Sequence, residues 1–352
     1  MTYMKKIIYL MISSVLLFSG CSKQSAPPKA PEQYNKYIFF SQNIATKASL
    51  IGSKEDLKDK QFAVVGFKYD NAYDWDTVGA NATPDVFAAN PQAVTCDANG
   101  YGSYSPLQGW SNTKEYTFFA FYPMPNDYVS LVNLDGTEYT SGMPAIKYTL
   151  DTSTSDNLKA SMLDVMTATH HEDKYWRSAS DNNIANGEVT MAFSHRLSSL
   201  SVNLRNSSAG AIQIQGIFLD ITGTQYQQII MPLDGSAATA PANPFDIDLY
   251  SLSVGDATSL AAGSTTELSD KLILIPQSSQ ILIDITIVYK RKFGDHEPSS
   301  QLTAGPYRLT TDLRAGYRHM ISLNFKDEIV EVESKVSTEG WVDMPDVEDT
   351  FN

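Results

Sequence analysis

Side chains able to do chemistry are few in this 352-residue chain, and they are poorly grouped. His170-His171-Glu172-Asp173 has the atoms of a metal cluster. Neighbouring residues on a strand point to opposite faces, however, so adjacent histidines seldom reach one ion. A solvated loop is the expected reading. His195 could act as a base, but no acid or nucleophile stands near it in sequence, so a packed or hydrogen-bonded ring is expected. Asp70, Asp74 and Asp76 are spaced loosely like calcium ligands. They lack the Gly and terminal Glu of an EF-hand loop, so carboxylates exposed on a turn are expected. Gly100-Tyr101-Gly102-Ser103 only approximates a Gly-x-Ser-x-Gly elbow and lies in a polar stretch read as a loop. No His-Glu-x-x-His occurs, and no Gly-rich turn leads a strand into a helix as a phosphate site requires. An enzyme therefore has no residue constellation behind it, and no catalytic residue, metal or cofactor is expected.

The chemistry that the sequence does specify lies at Cys21. Lys5 and Lys6 precede an apolar run from Ile7 to Phe18, broken only by Ser13 and Ser14. That run is short of the ~20 residues a membrane span needs, but it suits the apolar part of a secretory signal peptide. Leu17-Phe18-Ser19-Gly20-Cys21 resembles the bacterial lipobox, with Phe18 where Leu is usual. The resemblance implies cleavage before Cys21 and lipidation of its sulfur and new amino group. Two or three acyl chains would hold the protein stably, whereas one binds only marginally. An ordinary signal peptide with an incidental Cys is the competing reading. Residues 1–20 are thus read as a lipoprotein signal peptide. Residues 21–33, with Pro27, Pro28 and Pro31, are read as an extended tether. No acidic run follows Cys21, which leaves the membrane face of the anchor open. Once Cys21 is lipidated, Cys96 is the remaining thiol, so no intrachain disulfide is expected. Cys96 sits in a turn-like Thr-Cys-Asp-Ala-Asn-Gly context and is expected to be structural.

The formal charge is −14, and losing Lys5 and Lys6 with the signal peptide takes it to −16. Such a balance argues against nucleic acid or anionic lipid as the main partner. At roughly 150 residues per domain, the mature chain has room for two domains, each with its own core.

The elements that would position any site are strands. Ile281, Ile283, Ile285, Ile287 and Tyr289 alternate with polar residues, as do Leu200, Val202 and Leu204, and Tyr317, His319, Ile321, Leu323 and Phe325. Period-two alternation marks half-buried antiparallel strands. From Ala211 to Thr222 the alternation slips by one residue at Gln215-Gly216, which predicts a β-bulge. Tyr116 to Tyr122 is aromatic on both faces and predicts a buried strand ending at Pro123; Phe62 to Tyr69 predicts another. Asp135-Gly136, Asn186-Gly187, Asp234-Gly235 and Asn99-Gly100 punctuate the strands with turns. The best helical stretch is Asp156 to Met166. Many strands with regular turns predict an all-β chain of two β-sandwiches in tandem, residues 34–186 and 187–352, divided near the polar Asp181–Gly187 stretch. Ile329 to Val336 is read as the final strand of the second domain, and a role as a strand donated to a neighbouring molecule stays open for the residues after Gly340.

Several segments, in order, resemble the fimbrillin family of Bacteroidetes pilins. Behind Cys21 and the tether come Tyr37-Ile38-Phe39-Phe40 and Thr46-Lys47-Ala48, then Phe62-Ala63-Val64-Val65-Gly66-Phe67. Tyr116 to Pro123 and Met162 to Ala168 follow, and then Val189 to Ser198, the most specific match. Leu272-Ile273-Leu274-Ile275-Pro276-Gln277 completes the series. The resemblance implies transthyretin-like Greek-key folds and a non-enzymatic structural or adhesive subunit of a cell-surface pilus, or fimbria. It implies export as an outer-membrane lipoprotein (palmitate on Cys21), trimming by a trypsin-like protease near Lys47, and replacement of the strand around Tyr37, Ile38, Phe39 and Phe40 by one from a neighbouring subunit. Its partners would be other pilus subunits, homo- or hetero-polymeric, and the outer membrane through the lipid. A monomeric surface lipoprotein that binds host glycan or protein through its Tyr and Trp residues is the alternative function.

Overall fold

The computed structural model describes residues 37–44, 55–70, 73–111, 114–172, 188–239, 244–252, 254, 259–269, 271–292, 300–327 and 329–336. Strands dominate, as the alternation predicts. The first half contributes β1 (Phe39–Ile44), β2 (Gln61–Asp70), β3 (Phe87–Cys96), β4 (Tyr101–Ser103) and β5 (Lys114–Tyr122). It continues with β6 (Val129–Val132), β7 (Ala145–Thr149), β8 (Met166–Glu172) and β9 (Glu188–His195). The order β1-β4-β3-β2-β5-β8-β9 closes on itself as a barrel, because β9 runs parallel to β1. A sandwich is the expectation for residues 34–186; one sheet wrapped around its own core takes its place.

Both faces of β2 and β5 are covered. Phe62, Val64, Phe118 and Ala120 face the barrel interior with Phe40, Val94 and Phe193. Ala63, Val65, Phe67, Phe119 and Phe121 point the other way, into a larger apolar cluster shared with the second half. The aromatic-rich run from Tyr116 to Phe121 is thereby explained: every residue of it is buried, whichever face it points to. The two α-helices among the described residues are short. Asp74 caps α1 (Trp75–Val78) and Thr154 caps α2 (Ser155–Ser161). The helical stretch expected up to Met166 stops at Ser161, since Val165 and Met166 are needed in the core.

The second half holds β10 (Ser198–Asn206), β11 (Ala211–Tyr226), β12 (Gln228–Pro232), β13 (Pro244–Leu252), β14 (Ser259–Leu260) and β15 (Thr265–Glu267). After these come β16 (Leu272–Leu274), β17 (Gln277–Lys292), β18 (Leu302–Leu313), β19 (Arg318–Phe325) and β20 (Val330–Val336). One sheet is β15-β10-β19-β20, with β16 also on β10; the other is β13-β11-β17-β18, with β14 on β11. Leu200, Val202, Leu204, Ile321 and Leu323 of the first share a core with Ile217, Leu219, Ile283 and Ile285 of the second. The predicted bulge is present: pairing of β11 with β17 shifts between Ile214 and Gly216.

β9 belongs to the barrel, so the change of sheet falls between His195 and Ser198. The alternating Val189, Met191 and Phe193 fill the barrel interior and fix β9 there. A third sheet, β12-β7-β6, then ties the halves together, because β12 pairs with β7 from Gln228–Thr149 to Pro232–Ala145.

Candidate functional site

β1 closes the barrel, and its hydrogen bonds are unequal on its two sides. Toward β9 it is parallel, in register from Phe39–Glu188 to Ile44–Phe193. Toward β4 it is antiparallel and meets only Gly102 and Tyr101. The Ile38 N–H donates to the Gln108 carbonyl (2.8 Å) and the Gln42 N–H to the Gly100 carbonyl (2.9 Å). The Tyr104 hydroxyl donates to the Ile38 carbonyl (2.7 Å), and the Trp110 indole N–H to the Tyr37 carbonyl (3.1 Å). Ser41 Oγ donates to Thr190 Oγ1 at 3.1 Å.

The expected displaceable residues divide by face. Ile38 and Phe40 enter the barrel core at 1 % and 0 % exposure. The Phe40 ring meets those of Phe118, Tyr104, Phe87 and Phe62, with centroids 5.4 to 6.5 Å away. Phe39 packs on Tyr101 (5.5 Å), while Tyr37 stays exposed. Cys21 and Lys47 lie outside the described residues.

Sequence reasoning misses the receiving side. Gly100-Tyr101-Gly102-Ser103 resembles a polar loop, yet Tyr101–Ser103 is the strand β4 that faces β1. A Cβ at Gly102 would fall 2.4 Å from Val94 Cγ1 and 3.4 Å from Phe40 Cβ, so only Gly lets the two strands and the Val94 side chain meet there. Alternating glycines beside Tyr101 and Tyr104 are the signal that could have found it.

The residues with chemical potential are scattered. His170, His171 and Glu172 end β8 rather than form a loop, because their backbone pairs with Phe118, Thr117 and Tyr116; Asp173 lies outside the described residues. His170 Nδ1 lies 3.2 Å from the Thr190 carbonyl. His195 is hydrogen-bonded, to an acid remote in sequence: Nδ1 is 2.8 Å from Asp164 Oδ1, both side chains being 2 % exposed. Asp74 caps α1 through the Thr77 N–H (2.8 Å), and its hydrogen bonds to Thr77 hold its carboxyl below the usual range. Asp70 pairs with Lys114, so the three aspartates do not converge. Burial pushes the Cys96 thiol up to about 12, with Asp97 adding to the effect. No group of three or more His, Cys, Asp or Glu that could hold a metal occurs among the described residues.

The fold as a whole is similar to those of known structures. The chain is similar to a fimbrial protein from Bacteroides vulgatus, with a TM-score of 0.61 at 17% identity, over 87% of this chain and 100% of that one. It is also similar to a candidate cell-adhesion protein from Bacteroides ovatus, with a TM-score of 0.50 at 17% identity, over 90% of this chain and 99% of that one. At such identity the likeness speaks for the fold. No curated protein matches the chain in sequence. The family model described as "Fimbrillin-like" matches residues 68–341, from the end of β2 to beyond β20. Covering well over half of the chain, with the barrel strands from β3 to β9, the shared β12-β7-β6 sheet and the second unit, that match places the chain in the fimbrillin-like family.

Proposed function

We propose that this protein is a structural or adhesive subunit of a surface pilus, made as a lipoprotein precursor and assembled by trimming and strand exchange. Fimbrillin-like proteins are non-catalytic components of the cell surface. The observation that carries the finer reading is β1 itself. It is the first described strand, it closes the barrel, and it brings Ile38 and Phe40 into the core. Cutting the chain after Ile44 would leave β1 held by noncovalent contacts alone. Lys47 stands three residues past that end, and a cut there also severs the link to Cys21. Departure of β1 would bare the edges of β4 and β9 and open the aromatic core. Unpaired edges and emptied cores are costly, and an added strand from another subunit relieves both. Lipid on Cys21 would hold the precursor at the outer membrane until that cut.

The two units are read as transthyretin-like Greek-key folds that change over between His195 and Ser198. In each unit the first strand lies parallel to a late one, β1 with β9 and β10 with β19, which supports a common plan.

Low-dose trypsin on the purified precursor, followed by sequencing of the new N-terminus and an unboiled gel, tests the proposal. Cleavage near Lys47 with a ladder of oligomers is expected. Cleavage elsewhere, or clean cleavage at Lys47 without oligomers, would overturn strand exchange for this chain.

A further inference from the structure

A cleft of about 690 Å³ opens where the two halves meet. Arg196 lines it from the β9–β10 connection, Ser236 from the turn after β12, Gln277 from the start of β17, Leu313 from the end of β18 and Arg314 from the turn that follows. Clefts of this size between structural units are common ligand sites.

Three observations on this cleft converge. Gln277 is 8 % exposed, and neither its amide nitrogen nor its amide oxygen has a hydrogen-bond partner among the described residues. Buried polar groups are nearly always satisfied, so an orphaned donor and acceptor on one amide point to a missing partner. A peptide group carries the complementary pair, one C=O and one N–H. Next, the two arginines have donors to spare. Arg196 gives Nη2 to the Ser236 carbonyl at 2.8 Å, and Asp234 is the nearby acid. Arg314 gives Nε to Asp312 at 2.8 Å, which among the described residues leaves its two terminal nitrogens for an incoming carboxylate. Finally, the last described strand ends beside the cleft. Val336 of β20 pairs with His319, and His319 Nε2 accepts from the Arg314 N–H at 3.4 Å.

Beyond Val336 the sequence continues as residues 337–352, outside the described residues. That stretch carries Glu339, Asp343, Asp346, Glu348 and Asp349, and no Lys or Arg. At ~3.3 Å per extended residue, its acidic positions begin roughly 10 Å from Val336 and extend well past the cleft. We propose that residues 337–352 of the same chain dock in this cleft, with carboxylates on Arg196 and Arg314 and a main-chain peptide group on the Gln277 amide. A tail docked there is withheld from any neighbouring molecule. The inference stands independently of strand exchange at β1.

Hydrogen exchange read by mass spectrometry on the full mature chain tests it. The amides of residues 337–352 should exchange at least tenfold more slowly than in a synthetic peptide of the same sequence. The protection should fall as salt rises, and it should disappear in Arg196→Glu/Arg314→Glu and weaken in Gln277→Leu. Protected amides in β17 report that each variant remains folded, and the salt titration gives the same reading without any variant. Exchange at the free-peptide rate would overturn the proposal. So would protection that survives charge reversal, since a tail seated in the barrel groove does not feel these arginines. Protection that grows with protein concentration would identify a second copy as the occupant and would also overturn it.

Discussion

Phe40→Ala isolates what β1 contributes. The Phe40 ring is fully buried among four aromatic rings at 5.4 to 6.5 Å, so its loss removes both transfer free energy and packing. Phe→Ala in a core costs about 3–5 kcal/mol. If β1 lifts away while the shared sheet and the second unit stay paired, as strand exchange requires, most of that cost should appear as easier local opening. Cys96 reports such opening directly. It lies in the same barrel core at 2 % exposure, and its thiol reacts only when the barrel parts. In a soluble form lacking Cys21, it is the one thiol in the chain. At about 1.4 kcal/mol per tenfold, its labelling rate by a thiol reagent should rise at least ~100-fold in the variant. The control is Leu323→Ala, an equally buried site on β19 in the second unit. It should lower the denaturation midpoint while changing Cys96 labelling far less. Equal acceleration of labelling by the two variants would refute β1 as a separately opening element.

Gly102→Val, whose side chain would collide with Val94, should destabilise by about 1–3 kcal/mol through overpacking. It should also speed trypsin cleavage near Lys47; an unchanged cleavage rate and melting temperature would count against close packing of β4 on β1. Burial pushes the His319 imidazole down to about 4, against a smaller upward pull from Asp312. The unfolded chain therefore takes up the proton first as pH falls, so stability present above pH ~6.5 is lost by about 2–3 kcal/mol on the way down to pH ~4. Denaturant titrations should show that loss shrinking in His319→Gln; an identical pH dependence in the variant would exclude His319 as its source. Cys21→Ala should abolish incorporation of a fatty-acid analogue, and undiminished label would exclude lipid at this residue.

Much of the second unit was legible because its strands have one wet face. Ile281 to Tyr289 alternates, and so does its partner, with Gly216 marking the slip. The barrel was harder to read. β2 and β5 are covered on both faces, so their periodicity disappears and says nothing about which residues face the barrel interior. Closure was hidden for a different reason. The parallel pairing of β1 with β9 joins residues about 150 positions apart, and no local pattern encodes such a register. The place of β9 is hidden in the same way: a polar stretch at Asp181–Gly187 resembles a linker, and β9 beyond it belongs to the barrel sheet. His195 and Asp164 are likewise joined only by the fold.

The composition of β1 bears on how exchange would have to proceed. Ser41, Gln42 and Asn43 make its middle polar, so among the described side chains its apolar load is concentrated in Phe39 and Phe40, with Ile38 just before it. At about 1.5–3 kcal/mol for each buried side chain, exposing those three costs about 5–9 kcal/mol. That is comparable with the whole stability of an ordinary domain, about 5–15 kcal/mol. A cut at Lys47 alone would therefore leave β1 seated, because cleavage changes connectivity and not burial. Release requires an incoming strand that restores the same burial as it enters. Such a strand needs two large apolar side chains spaced two residues apart, to occupy the positions of Ile38 and Phe40 beneath Tyr104 and Phe118. It also needs a slim contact over Gly102, where the receiving strand leaves no room for displacement.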